Sequence, residues 1–184
     1  MLFSQAQAGS MGVPYVPVIG LVGTDLLARR DDMVVAPDPF GSGLKSVVAR
    51  AMRPDAAVFH AQCADRAGNV SFGYHVESVM LAEASAQVVV TVEEIVDRVT
   101  EKTAYGAFLP SILVDAVVHA PFGAHPGGLT GRYPVDRDAM RAYAAAAQSD
   151  EAFAAWLDEQ VFGVQEHDEY VERFVPASIR GGAR

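Results

Sequence analysis

Residues 53–69, RPDAAVFHAQCADRAGN, decide the fold. The run at 56–61 (AAVFHA) is apolar and contains a valine and a phenylalanine. Arg53-Pro54-Asp55 precedes it and the turn-rich ADRAGN follows, so it reads as a buried strand ending in a tight turn. Residues 87–92 (QVVVTV) repeat the pattern, and 113–118 (LVDAVV) give a third strand. Residues 13–20 (VPYVPVIG) are a strand confined by their prolines to an edge or an irregular segment. Val34–Val35 and Val47–Val48 are weaker strands. Between the strands, 76–86 (VESVMLAEASA) is helical, with Val76, Val79, Met80 and Ala84 on one side, and 4–11 continues a helix. Apolar strands interleaved with helices predict an α/β fold: an open, mostly parallel sheet with helices on both faces, because each parallel strand must be reached by a crossover.

Beyond the last strand the sequence changes style. Residues 121–133 (PFGAHPGGLTGRY) form a long loop rich in glycine and proline, of the kind that often carries function. A helical extension follows. Met140, Tyr143, Ala144 and Ala147 make one apolar stripe, and Phe153, Trp156, Leu157 and Val161 a second. Ser149 and Asp150 separate the two helices and cap the second, and Gly163 ends it. A third helix covers 166–174, with Tyr170, Val171 and Phe174 inward. The expected organisation is an incomplete α/β domain at 1–135, helices packing on it at 136–176, and a frayed tail at 177–184. A doubly wound domain opens with a strand, a turn and a helix, whereas this chain starts within a helix. The first βα units are therefore expected to be missing.

The 184 residues fit one domain, and 51% hydrophobic with 20% charged residues fits a folded globular chain. Lys and Arg number 14 against 23 Asp and Glu, a net charge of −9, which argues against nucleic-acid or anionic-membrane partners. The single cysteine, Cys63, excludes an intrachain disulfide. Neither a secretory signal nor a membrane-spanning stretch is read from the sequence, so a cytoplasmic location is expected.

Side chains at the carboxyl ends of parallel strands line ligand sites in open sheets. His60 and Gln62 are candidates on that ground. For Asp65, Gly68 and Asn69 the turn is the stronger alternative, with Gly68 and Asn69 at positive φ and Asp65 bonding back to the backbone. Glu93 and Glu94 follow the second strand and offer a carboxylate as acid, base or nucleophile; the alternative pairs one with an arginine and solvates the other. Cys63 lacks an evident histidine partner and reads as a small buried hydrophobe. The five histidines show no zinc spacing, so no metal site is expected. Gly41-Ser42-Gly43 and Gly127-Gly128 can admit a phosphate or pantetheine chain close to the backbone. No dinucleotide or Walker loop is present.

In order along the chain stand GVPYVPVIGLVGTDLL (12–27), DPF (38–40), RPDAAVFHAQCADRAGNV (53–70), VVVTVEEIV (88–96) and LPSILVDAVVHAPFGAHPGG (109–128). Together they resemble the alpha subunit of family I CoA-transferases, glutaconate CoA-transferase-like, over residues 12–174. The resemblance implies coenzyme A as substrate with no permanently bound cofactor, and a hetero-oligomer whose other member is a homologous beta subunit. The beta subunit would carry the catalytic glutamate in a Glu-x-Gly context, which would hold CoA as a glutamyl thioester between an acyl-CoA and a carboxylic acid. This chain has no Glu-x-Gly, so it is expected to supply no catalytic residue and to line the cleft with His60, Gln62, Asp65, Gly68, Asn69, Glu93 and Glu94. Two alternatives stay open: a subunit of an acyl-CoA hydrolase or ring-opening enzyme on the same scaffold, and a truncated, non-catalytic scaffold subunit.

Overall fold

In a computed structural model, which describes residues 2–18, 20–73, 77–100 and 106–181, helix α1 (Leu2–Ser10) leads into strand β1 (Tyr15–Val18). The short helix α2 (Asp25–Ala28) and strands β2 (Met33–Pro37) and β3 (Lys45–Arg50) follow. Next come β4 (Ala56–Asp65), β5 (Val70–Phe72), helix α3 (Glu77–Ala84), β6 (Gln87–Val96), β7 (Ala107–Leu109) and β8 (Ala116–His119). Helices α4 (Arg137–Ala146), α5 (Asp150–Leu157), α6 (His167–Phe174) and α7 (Ala177–Arg180) close the described chain. Ile19, Val76 and residues 182–184, which the sequence placed in the first strand, the first full helix and the tail, lie outside the described residues.

The α/β class holds, with two differences of detail. The principal sheet has the order β7-β5-β4-β6-β8 and is mixed. Only β4, β6 and β8 run parallel; β5 turns back antiparallel on β4, and β7 pairs antiparallel with β5. The turn at Asp65–Asn69 is too short for a crossover, so it makes a hairpin. The weak strands around Val34 and Val47 form a separate antiparallel sheet, β1-β3-β2, in which Val47 lies opposite both Val18 and Val35. Its own small core gathers Met33, Val47 and Ala49, with Val16, Val18, Leu21 and Leu27 against it.

Helix α3 covers one face of the principal sheet, with Val79 and Ala82 joining the core of Ala57, Ala61, Val88, Val90 and Val92. Helix α1 lies on α3 through small residues. A Cβ at Gly9 would stand 2.0 Å from the carbonyl oxygen of Met52, so only glycine permits this approach. The other face is covered at its carboxyl half by the 120–136 segment rather than by a crossover helix. Toward its amino half Val58 and Val118 stand 69% and 47% exposed, in register with Val89 and Thr91. The C-terminal helices fall where their stripes predict. Asp136 caps α4 by accepting from the amides of Asp138 and Ala139, and Ser149 caps α5 by accepting from that of Ala152. The expected fraying after Pro176 does not occur through Arg180. Helix α7 buries Ile179 beside Tyr133 and Val175, and the amides of Ile179 and Arg180 donate to the Pro176 carbonyl oxygen; the apolar burial contributes to holding this turn.

Phe72 is 2% exposed and packs edge-on to Phe59 at 5.3 Å between ring centroids. Phe72→Ala should destabilise the chain by about 3–5 kcal/mol, whereas Val58→Ala on the open face should shift stability by less than about 0.5 kcal/mol. Urea titrations of the two variants followed by circular dichroism check both values.

Candidate functional site

His60 on β4 lies opposite Thr91 on β6. Alternation along the strand puts Glu93 on the same face, one step further on. His60 Nδ1 stands 2.8 Å from Thr91 Oγ1, and His60 Nε2 stands 2.6 Å from Glu93 Oε1. A proton on His60 Nε2 donates to the carboxylate, and Nδ1 faces the threonine hydroxyl, so both ring nitrogens have partners. The Tyr133 hydroxyl donates to Glu93 Oε1 at 2.7 Å, and the amide of Phe122 donates to Glu93 Oε2 at 2.9 Å. The Glu93 side chain is only 7% exposed. Burial pushes its pKa up, but the donors from His60, Phe122 and Tyr133 outweigh it and hold the carboxyl below its ordinary value. Burial, and then its hydrogen bond to Glu93, pushes the Tyr133 phenol up. Tyr133 oxygen also accepts from the amide of Ala124 at 3.1 Å, so one carboxylate fixes the start and the end of the 122–133 turn.

Gly123 sits against this network. A Cβ there would come 2.9 Å from two atoms of the His60 ring and 2.8 Å from the Ala120 carbonyl oxygen, so the close approach requires glycine. Gln62, two residues beyond His60, reaches the underside of the same loop. Its Nε2 is 3.4 Å from the Thr130 carbonyl oxygen, while its Oε1 is buried without a hydrogen-bond partner among the described residues. Above it, residues 127–135 line a groove of about 480 Å³. Glu94 is more exposed and pairs with Arg132 at 3.1 Å, a rim contact worth little energetically.

Asp65, Gly68 and Asn69 build the β4–β5 turn. Asp65 Oδ1 accepts from the amides of Ala67 and Asn69 at 2.9 and 3.0 Å, and Oδ2 accepts from that of Val99 at 2.9 Å. Burial raises the Asp65 pKa, yet these donors prevail and leave it below the ordinary value. Gly68 has φ +89° as its position in the turn requires, but Asn69 is not at positive φ. Asn69 serves through its side chain instead, donating to Asp65 and accepting from the amide of Ser111 at 3.1 Å.

One expectation about the site is corrected: the strands do not end at Ala61 and Val92. Gln62 lies inside β4, and Glu93 and Glu94 inside β6, because the β4–β6 ladder continues through Cys63 opposite Glu94 and Asp65 opposite Val96. The buried carboxylate does not end the strand, since its charge is met by three donors. Burial pushes the Cys63 thiol up, the reverse of an activated nucleophile. Sequence reasoning missed Tyr133, and also His125, whose ring joins Tyr170 Oη at 2.8 Å to Asp136 Oδ2 at 3.1 Å. Their only sequence signal is their place in the glycine-rich loop and the turn after it. Among the described residues no group of three or more His, Cys, Asp or Glu side chains is placed to hold a metal, and no helix is long and apolar enough to cross a membrane.

A family model described as coenzyme A transferase matches residues 1–120. The chain is 32% identical over 190 residues to the A-type subunit of glutaconate CoA-transferase from Acidaminococcus fermentans, covering 94% of this chain and 59% of that protein. It is 34% identical over 167 residues to the A-type subunit of 3-oxoadipate CoA-transferase from Pseudomonas knackmussii, covering 89% of this chain and 57% of that one. The crystal structure of glutaconate coenzyme A-transferase from Acidaminococcus fermentans superposes with a TM-score of 0.88 at 28% identity, covering all of this chain and 63% of that one. The chain spans between 37% and 60% of the length of the curated relatives it matches.

Glu93→Gln keeps the shape but removes the charge that three donors address. It should destabilise the fold by about 1–3 kcal/mol at pH 7. Because the folded carboxyl titrates below its ordinary value of 4.5, its stabilisation is complete above that pH and is lost as pH falls through the lower folded value. The gap between wild type and Glu93→Gln should therefore be constant from pH 7 to about 5.5 and narrow below 4.5. Thermal melts across that range test this.

Proposed function

The chain belongs to the coenzyme A transferase family, and from that premise we propose that it acts as the alpha-type, non-nucleophile subunit of a cytoplasmic enzyme moving CoA between an acyl-CoA and a carboxylic acid. The nucleophile is a glutamate of a homologous beta-type partner. It attacks the thioester carbonyl and expels CoA thiolate as an acyl-glutamyl anhydride forms. The thiolate then attacks the glutamyl carbonyl, releasing the donor's carboxylate and leaving a glutamyl-CoA thioester, and the acceptor carboxylate takes CoA by the same two steps in reverse. The observation that carries this reading is the likeness of the whole chain, in sequence and in fold, to one of the two subunit types of a glutaconate CoA-transferase, the A type. The geometry of Glu93 supports it from a different side. A carboxylate that is buried and accepts from three donors is a poor nucleophile, which leaves that role to the partner.

On this reading His60 and Glu93 hold one wall of the cleft, Asp65, Gly68 and Asn69 shape the turn beyond it, and Glu94 with Arg132 forms the rim. Gln62 has capacity to spare beside this wall, since its buried carbonyl lacks a donor among the described residues. An amide N–H of the CoA pantetheine arm is a donor of the required kind.

The purified chain alone should turn over no acyl-CoA with any free acid. Co-expression with a beta-type chain carrying Glu-x-Gly should restore transfer, and replacing that partner glutamate by alanine should abolish it. Turnover by the chain alone, or by the complex lacking the partner glutamate, would overturn the assignment. In the active complex, Gln62→Leu should leave the melting temperature unchanged or slightly higher, because it removes an unpaired buried carbonyl. The KM for acyl-CoA should rise about fivefold, the loss of one neutral hydrogen bond. Steady-state kinetics and melts on the same preparation check both.

A further inference from the structure

A second cavity lies on the far side of the His125–Asp136 pair, between α4, α5 and α6. It holds about 480 Å³ and is walled mainly by Met140, Tyr143, Trp156, Val161, Tyr170 and Phe174. The volume falls within the range of small-molecule pockets, and apolar and aromatic walls with few polar groups are what such pockets present. The rings are set by one another: Tyr143 stands edge-on to Trp156 at 5.2 Å between centroids, and Phe153 stacks on Trp156 at 6.1 Å. Between α5 and Gly163 the helix widens into a π-turn over Asp158–Phe162, bringing the consecutive residues Gln160 and Val161 both to the cavity. Such turns are rare and gather at functional sites. The one carboxylate near the cavity, Asp136, is engaged by His125 Nε2 at 3.1 Å, and among the described residues no lysine or arginine lines the walls. A carboxylate or phosphate would find no counter-charge here, which sets this cavity apart from any site for CoA or a free acid.

We propose that the cavity binds a small uncharged apolar molecule, with the Gln160 amide as its hydrogen-bonding handle. The proposal does not depend on the transferase reading. Trp156 is the one tryptophan of the chain, so its emission reports the cavity directly. Titrating the full chain with 1-octanol should give a saturable emission change with half-saturation below about 1 mM. Octanoate, with the same chain length and a carboxylate, should bind at least tenfold more weakly at pH 7.5. Ala139→Phe, which fills the cavity from α4, should abolish the octanol response, and circular dichroism shows whether that variant folds. Gln160→Leu gives a second arm: the octanol response should weaken about fivefold. An unsaturable response, equal binding of octanoate, or no effect of Gln160→Leu would overturn the proposal. So would emission that follows protein concentration, which would mean that a second copy of the chain fills the cavity.

Discussion

A carboxylate buried in a sheet must find donors or lose its charge. Glu93 finds three, and they come from three parts of the chain: His60 on β4, the Phe122 amide at the start of the long loop, and the Tyr133 hydroxyl at its end. The parallel pair β4–β6 is thereby tied to a loop that contributes no strand to the sheet. Through Tyr133, which packs with Val175 and Ile179, the same carboxylate anchors the C-terminal helices. The segment after β8 is ordered because Glu93 leaves it one low-energy path.

Two further aspartates repeat the device at smaller scale. Asp65 gathers the amides of Ala67, Asn69 and Val99 and so turns β4 into β5 while holding the chain just past β6 against the hairpin. Asp136 caps α4 with one oxygen and meets His125 with the other. In each case hydrogen bonds to the charged form overcome the burial that would neutralise it. Much of the chain's acidity lies on the surface, but these three groups explain why certain acids are kept in the interior. Of the three, Glu93 ties the 120–136 segment onto the second face of the sheet, where no crossover helix lies among the described residues.

This arrangement bears on chemistry. Residues committed to a clamp are held rigidly and are poor reactants, in keeping with the proposed non-nucleophile role. Gln62 differs from them, being buried beside the clamp with a carbonyl that meets no donor among the described residues.

The sequence by itself determined the α/β class, the strands at the centre of β4 and β6, the turn at Asp65–Gly68, the helices α4 to α6 and the Ser149 cap of α5. These rest on periodicity and on contacts a few residues apart, which local composition records. Only the tertiary structure decided that β5 and β7 run antiparallel, that the Val34 and Val47 runs form a sheet of their own, that β4 and β6 continue through Gln62 and Glu94, and that Ile179 anchors a last helical turn. It alone placed Tyr133 against Glu93, 40 residues apart in the chain. A polar residue such as Glu93 reads as the end of a strand until its donors are known. Those donors are 33, 29 and 40 residues away, and no local pattern in the sequence can say that a buried charge there is satisfied.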